Sequence, residues 1–360
     1  MLPRLRVGFL SPHNPFDRQA FSGTAYFALR ALSRRADVEV RVLGPHRPPP
    51  RFRRFARVVG LGARAVDPDR LDLSGLDCIV ALVAADLAHA LLSRTDIPIV
   101  QVTDATPGFI RSFYGKPVTE EYANREAEAV RGAALTIYSS QYMAERAVEE
   151  FGVAPARVAS VPFGINMEAL PEAAPGKPPL TPLRLLWIGN DWGRKGGQIA
   201  LDTVAALRAD GLDARLALAG DVPRDVTLPD GAERIGYLDK NRPSDAARLA
   251  RLLTGAHLFL LPTRADCTPM VVAEANAHAT PVLITGTGGI GSLIEAGTNG
   301  RMMPMEAGPQ DWAAAVRELT GDPAGHAALC RSSFDHAHAR LTWEAWARDV
   351  TGLLRRVASA

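Results

Sequence analysis

Two carboxylates, two cations and a helix start carry the chemistry that this chain offers. Asp266 stands in a short loop after the apolar run Leu258–Leu261, and Glu274 follows eight residues later. Between them, Thr268 has the side chain of an N-cap. Pro269 has the fixed φ of a first helical residue and lacks the N–H not needed there. Met270 and Val271 then offer backbone N–H groups at the positive end of a helix dipole, which is an anion site. Glu274 lies one turn up the same face, about 6 Å along the axis from Met270. A phosphate at the helix start brings the adjoining sugar hydroxyls near that carboxylate. The stretch is expected to bind a nucleotide diphosphate.

A second anion site is written earlier in the chain. The strand run Leu183–Ile188 leads into Gly189-Asn190-Asp191-Trp192-Gly193-Arg194-Lys195-Gly196-Gly197, and a helix pattern Gln198–Ala209 follows. Backbone N–H groups and the helix dipole are expected to cradle the anion, while Arg194 and Lys195 neutralise its charge. It is not a P-loop of the G-x-x-x-x-G-K-[ST] kind. In the first half, Ser22-Gly23 precedes the helix pattern Thr24–Arg35, and a glycine there lets a phosphate or sugar approach the backbone. A plain helix cap is the simpler alternative. Asp104 ends the strand run Ile99–Thr103, where ligands of open α/β sheets bind. A carboxylate there can orient or deprotonate an acceptor hydroxyl, or serve as a loop hydrogen-bond acceptor. Phe109, Phe113 and Tyr114 follow in a predicted loop, as acceptor lining or as core.

The run Gly286-Thr287-Gly288-Gly289-Ile290-Gly291 also fits G-x-G-x-x-G, with Glu306 downstream for a ribose. A dinucleotide reading leaves Asp266 and Glu274 unexplained, so the run is read as a tight turn.

The elements around these residues alternate strand and helix. Strand runs at Leu5–Leu10, Val38–Leu43, Cys78–Val83, Ile99–Thr103, Leu135–Tyr138 and Arg157–Val161 alternate with helix patterns and predict a parallel sheet covered on both faces. Strands at Leu183–Ile188, Arg215–Ala219, Arg234–Leu238 and Leu258–Leu261 predict another. At 360 residues the chain accommodates two domains. Residues 1–170 form the first, Pro171–Pro182 a proline-rich linker and 183–340 the second, followed by a last helix within 341–360. The net charge of +2 does not argue for nucleic-acid binding. Three dispersed cysteines, Cys78, Cys267 and Cys330, lack metal-ligand spacing and suit a reducing, cytoplasmic setting. Val7–Leu10 is too short for a secretion signal, and no run reaches the length of a membrane span. Residues 44–57 are basic with two aromatics. They read as a solvated loop or, through 47–57, as a contact for an anionic acceptor or the inner face of a membrane.

These motifs resemble the donor site of retaining GT-B glycosyltransferases of family GT4. The resemblance rests on Asp266…Glu274, then Pro281-Val282, Gly288-Gly289 and Gly297/Gly300, with Lys195-Gly196 and Val161-Pro162-Phe163-Gly164-Ile165-Asn166 in support. It implies a GT-B fold, two doubly wound Rossmann-like domains facing across a cleft, and sugar transfer from a nucleotide-diphosphate donor to an acceptor hydroxyl with retention. By the same resemblance, Ser22-Gly23 faces the donor, and Asp104 stands where the family often has a histidine. Arg194 replaces the arginine expected at Asn190, Gly236-Tyr237 underlies the base, and Trp343 and Trp346 anchor the last helix on the first domain. Asp266 would hold donor-sugar hydroxyls and Glu274 the ribose. No metal and no cofactor are implied, since the nucleotide-sugar is a co-substrate. Asp266 in place of glutamate, Thr268-Pro269 in place of Phe-Gly and Ser292 in place of glutamate depart from the pattern. The rival readings are a nucleotide-sugar epimerase on the same fold and a non-catalytic nucleotide-sugar-binding protein.

Overall fold

The computed structural model describes residues 3–18, 20–46 and 66–359 and divides the chain into two compact units. One comprises Met1–Asn166 with Trp343–Ala360, the other Met167–Thr342. Residues 47–57, the suggested membrane or acceptor contact, lie outside the described residues. Among the described residues no helix is long and apolar enough to cross a membrane.

The first unit is built on β1 (Leu5–Leu10), β2 (Val38–Leu43), β3 (Cys78–Leu82), β4 (Ile99–Thr103), β5 (Leu135–Tyr138) and β6 (Val158–Ser160) in the order β2-β1-β3-β4-β5-β6. All pairings are parallel. Helices α1 (Thr24–Ser33), α2 (Ala85–Leu91), α3 (Pro107–Phe113), α4 (Glu120–Gly132) and α5 (Gln141–Phe151) intervene. β3 is buried along its whole length, as an unbroken apolar run covered on both faces must be. The order reverses between β1 and β3, which makes the carboxyl ends there a switch point open to ligands.

The second unit repeats the plan. Its strands β7 (Leu183–Gly189), β8 (Ala214–Gly220), β9 (Ala232–Gly236), β10 (Leu258–Leu261), β11 (Val282–Thr285) and β12 (Gly300–Met303) lie in the order β12-β11-β10-β7-β8-β9, again all parallel. The helices are α6 (Gly197–Ala209), α7 (Pro243–Gly255), α8 (Met270–Ala277), α9 (Pro309–Thr320) and α10 (Pro323–Arg340). Trp187 and Trp312 anchor a core of β7, β8, α6 and α9 side chains. The reversal falls between β7 and β10, and so sets the loops after these two strands side by side.

Some elements differ from expectation. Residues 107–113 form α3 rather than a loop, because Thr106 caps it by accepting from the Phe109 N–H at 3.2 Å and Pro107 opens it. Phe109 is core, stacked on Phe113 and edge-on to Tyr114. β9 begins two residues before the predicted Arg234 and ends at Gly236, where φ of +83° turns the chain.

The last helix, α11 (Trp343–Ala358), belongs to the first unit. The Trp343 indole N–H donates to Asn166 Oδ1 at 2.9 Å, and its ring stacks on Phe163. A Cβ on Gly164 would lie 2.4 Å from the Trp343 nitrogen, a contact only glycine avoids. Trp346 is buried beside Trp343. Gly164→Ala must therefore push the helix start away. Chemical denaturation is expected to show a loss of about 1–3 kcal/mol, the usual cost of overpacking; wild-type stability would mean that α11 is not seated on this segment.

Candidate functional site

The second unit gathers the predicted cations and carboxylates where the loops after β7 and β10 meet. Lys195 Nζ donates to Asp266 Oδ2 at 2.7 Å, and the Thr263 hydroxyl donates to the same oxygen at 2.9 Å. Arg194 reaches Asp266 Oδ1 at 3.4 Å and donates to the Ala265 carbonyl at 2.8 Å. Asp266 is buried, and these partners satisfy its oxygens. Both carboxylate oxygens thus engage protein groups, and Asp266 acts here as the organiser of the two cations.

The backbone makes this convergence. Gly196 has φ of +67°, and a Cβ on it would sit 1.9 Å from the Pro262 carbonyl oxygen, so the two loops pack backbone to backbone. The Arg264 N–H donates to the Arg194 carbonyl at 2.7 Å, and the buried Trp187 indole donates to the Lys195 carbonyl at 3.0 Å. One expectation is corrected. The N–H groups of Lys195, Gly196 and Gly197 do not form an open anion cradle. They donate to the carbonyls of Asp191, Gly193 and Trp192 at 2.9, 3.2 and 2.9 Å, closing the turn that aims the side chains. Gly189 ends β7 with a Cβ position only 3.0 Å from the Lys195 Cβ, and Asn190 after it is exposed.

At the second anion position, Thr268 and Pro269 are displaced from their predicted places by one residue. Pro269, with ψ of 100°, occupies the N-cap and Met270 the first helical position. The residue before a proline is driven out of the α region, which keeps Thr268 outside the helix. Met270 and Val271 still open α8, so their N–H groups precede its internal hydrogen-bond ladder. Glu274 is buried on α8 and ion-paired with Lys240. Lys240 went unpredicted. It lies in the loop after Gly236-Tyr237, where Asp239 accepts from the Asn241 N–H at 2.9 Å and receives no motif from the sequence. Tyr237 is 56% exposed, unusual for a large ring.

The G-x-G-x-x-G run forms a single 3-10 turn, Gly288–Ser292, whose Gly289 N–H donates to the Asp266 carbonyl at 3.2 Å. Behind it, the buried amides of Asn276 and Asn299 bond each other at 2.9 Å. Gly300 admits the close approach of β11 and β12: a Cβ there would lie 2.2 Å from the Val282 carbonyl oxygen.

Ser22, Gly23 and Asp104 belong to the first unit, at the carboxyl ends of β1 and β4. Phe21, Ser22 and Gly23 have φ of 49°, 56° and 91°, a left-handed run costly for the two non-glycine residues. Asn166 braces it by donating to the Ser22 carbonyl at 3.0 Å. Gly23 is itself the N-cap of α1, in the left-handed region, so the simple cap holds for it without a side-chain hydrogen bond. Asp104 is half-buried in acidic surroundings. Nearby Glu126 is buried, and burial pushes its carboxyl up to about 7 against the hydrogen bond from Tyr122, with the charges of Glu150, Asp104 and Asp86 adding to the rise.

Comparison with known proteins defines the class. Residues 182–322 match the family described as Glycosyl transferases group 1. The fold matches sucrose-phosphate synthase from Thermosynechococcus elongatus over 99% of this chain and 100% of that one, with a TM-score of 0.70 at 18% identity. It matches Anabaena HepE in complex with UDP over 98% and 100%, with a TM-score of 0.68 at 15% identity. The chain has the GT-B fold, and the family match lies within its second unit. Among particular relatives, the glycogen synthase of Mycobacterium tuberculosis is 27% identical over 269 residues, 73% of this chain and 64% of that protein. A D-inositol 3-phosphate glycosyltransferase of Nocardiopsis dassonvillei is 27% identical over 258 residues, 66% of this chain and 59% of its own length. The chain thus spans about six tenths of the curated relatives it matches.

The raised Glu126 carboxyl has a consequence for stability. The folded state holds a proton that the unfolded chain releases above its usual carboxylate range near 4.5. This contribution is complete below that range and is lost as pH rises through about 7. Glu126→Gln stays neutral throughout. Its stability relative to wild type is expected to grow between pH 4.5 and 8, by up to ~3 kcal/mol. Urea titrations at pH 4.5, 6 and 8 test it: parallel curves for the two proteins would refute the shift.

Proposed function

We propose that this protein transfers a glycosyl group from a nucleotide-diphosphate sugar to an acceptor hydroxyl, with retention. The observation that carries this reading is the convergence of Arg194 and Lys195 on Asp266 beside the start of α8. As the glycosidic bond breaks, negative charge builds on the departing diphosphate. Arg194 is shared between Asp266 and Asp191, the latter at 3.2 Å, so an arriving diphosphate competes with these carboxylates for the cations' N–H groups, and the opening N–H groups of α8 add the helix dipole. Charge stabilisation by these residues takes the place of a coordinated cation.

In this reading the diphosphate draws on Lys195 and Arg194, and the ribose lies toward Glu274. The ion pair with Lys240 orients that carboxylate to accept from ribose hydroxyls. Tyr237 offers an exposed ring for the base to lie against. In the first unit, Asp104 would receive the acceptor hydroxyl's hydrogen bond. Anabaena HepE has been solved with UDP and glucose, which supports UDP-sugars as the first donors to try. The matched segment, residues 182–322, contains every second-unit residue named in this role.

Lys195→Ala removes a positioned charge from the leaving group. Its kcat is expected to fall about a hundredfold or more, with an unchanged circular dichroism spectrum, because one preorganised donor is worth roughly 3–4 kcal/mol. The assay pairs UDP-, GDP-, ADP- and dTDP-sugars with a panel of hydroxyl acceptors. Near-normal turnover in the variant would sink the assignment. Lys240→Ala leaves Glu274 buried without its partner and is expected to weaken donor binding at least tenfold by calorimetry; an unchanged donor Kd would remove Glu274 from the site.

A further inference from the structure

The second unit carries another concentration of cations at the opposite end of its sheet. Arg184 is the second residue of β7 and Arg215 the second of β8, and they are direct partners in the parallel register. Paired register positions leave a sheet on the same face, so two guanidinium stems start side by side. Like charges set opposite each other on neighbouring strands oppose the pairing unless a negative group lies between them. Arg208 from α6 and Arg251 from α7 line the same cavity of about 680 Å³, together with Asp213 and Glu233.

The charges within this cavity do not cancel. Asp213 is shared between Arg208 at 3.5 Å and Arg215 at 3.4 Å. Arg208 also donates to the Ala214 carbonyl at 3.2 Å. Among the described residues, neither Arg184 nor Arg251 has an ion-pair partner. Four guanidinium groups against two carboxylates leave two positive charges lining one recess. The carbonyl ends of α6 and α7 also face this end of the sheet and offset part of that charge, but they do not separate Arg184 from Arg215.

We propose that this cavity binds a small soluble anion bearing a phosphate or diphosphate group, held chiefly by Arg184 and Arg251. Guanidinium groups pair bidentately with phosphate oxygens, and the volume is that of a small-molecule site. The site lies at the amino ends of β7, β8 and β9, whereas Lys195 and Asp266 lie beyond the carboxyl ends of β7 and β10. It is a second ligand site on the unit and not an extension of the first.

The test uses the full chain carrying Arg194→Ala and Lys195→Ala, which removes the donor-side cations, and pyrophosphate as the probe. Ionic strength is held constant with sodium chloride. In this background pyrophosphate is expected to raise Tm saturably. Adding Arg251→Gln is expected to raise the apparent Kd at least fivefold, and adding Arg184→Gln with it to abolish the shift. Arg251 is exposed on α7, so the single variant retains the fold even where the pair does not. Absence of any shift in the parent background, an affinity unchanged by Arg251→Gln, or an equal shift with chloride alone would each overturn the proposal.

Discussion

A buried carboxylate that must be neutralised organises the second unit's site. Asp266 is buried, so its oxygens need protein partners, and the chain supplies three: Lys195, Arg194 and Thr263. Those partners come from two loops about seventy residues apart in sequence. Each loop constrains the other. Moving Asp266 strands Lys195 and leaves Arg194 with Asp191; moving Lys195 exposes a buried acid. The carboxylate is therefore better understood as a fixed post that sets the direction of two flexible cationic side chains than as a group waiting for ligand. Long side chains held in advance lose less entropy when an anion arrives.

That constraint can be met only because of the sheet order. β7 opens the second unit, yet its neighbours are β8 on one side and β10 on the other, so the chain crosses over between β9 and β10. The crossover sets the Gly-rich turn after β7 against the loop after β10, and Gly196 lets the backbones touch. The same reversal occurs between β1 and β3 in the first unit, where Asn166 and Trp343 brace the strained Phe21-Ser22-Gly23 turn. In both units the irregular backbone sits at carboxyl ends of strands and is held by residues remote in sequence.

The strands were legible because parallel sheets demand continuous apolar runs: Leu5–Leu10, Val38–Leu43, Ile99–Thr103 and Leu258–Leu261 have the bounds their sequences imply. The cation turn and the helix-borne Glu274 were legible as types and spacings. Three things were not. Whether the N–H groups of residues 195–197 face outward depends on the turn's own hydrogen bonds, which depend on Trp192 and Gly193 taking positions that no local preference dictates. Lys240 meets Glu274 across 34 residues, and its loop carries no repeating pattern. Helix α3 was obscured by its aromatics, which read equally as loop lining, although Thr106-Pro107 is a sound helix start. Only the Lys240 miss depends on a partner that topology supplies; the turn and α3 are set by local hydrogen bonds that residue types alone do not rank.

The two ion pairs at the site are unequal, and the inequality has a direction. Glu274 and Lys240 pair one to one, whereas Lys195 and Arg194 share Asp266 and Arg194 also pairs with Asp191 at 3.2 Å. Under the proposed activity, a diphosphate carrying charge that grows during bond cleavage is drawn to the end that carries two cations, while a neutral ribose and base are not. An anion close to Arg194 and Lys195 also competes with Asp266 for the same N–H groups, so its pull on the donor strengthens as the leaving group becomes more negative. Interactions that strengthen along the reaction are those that accelerate it. A cluster already partly satisfied by its own carboxylate therefore discriminates between the bound donor and its departing diphosphate better than two unopposed cations, which would hold both tightly.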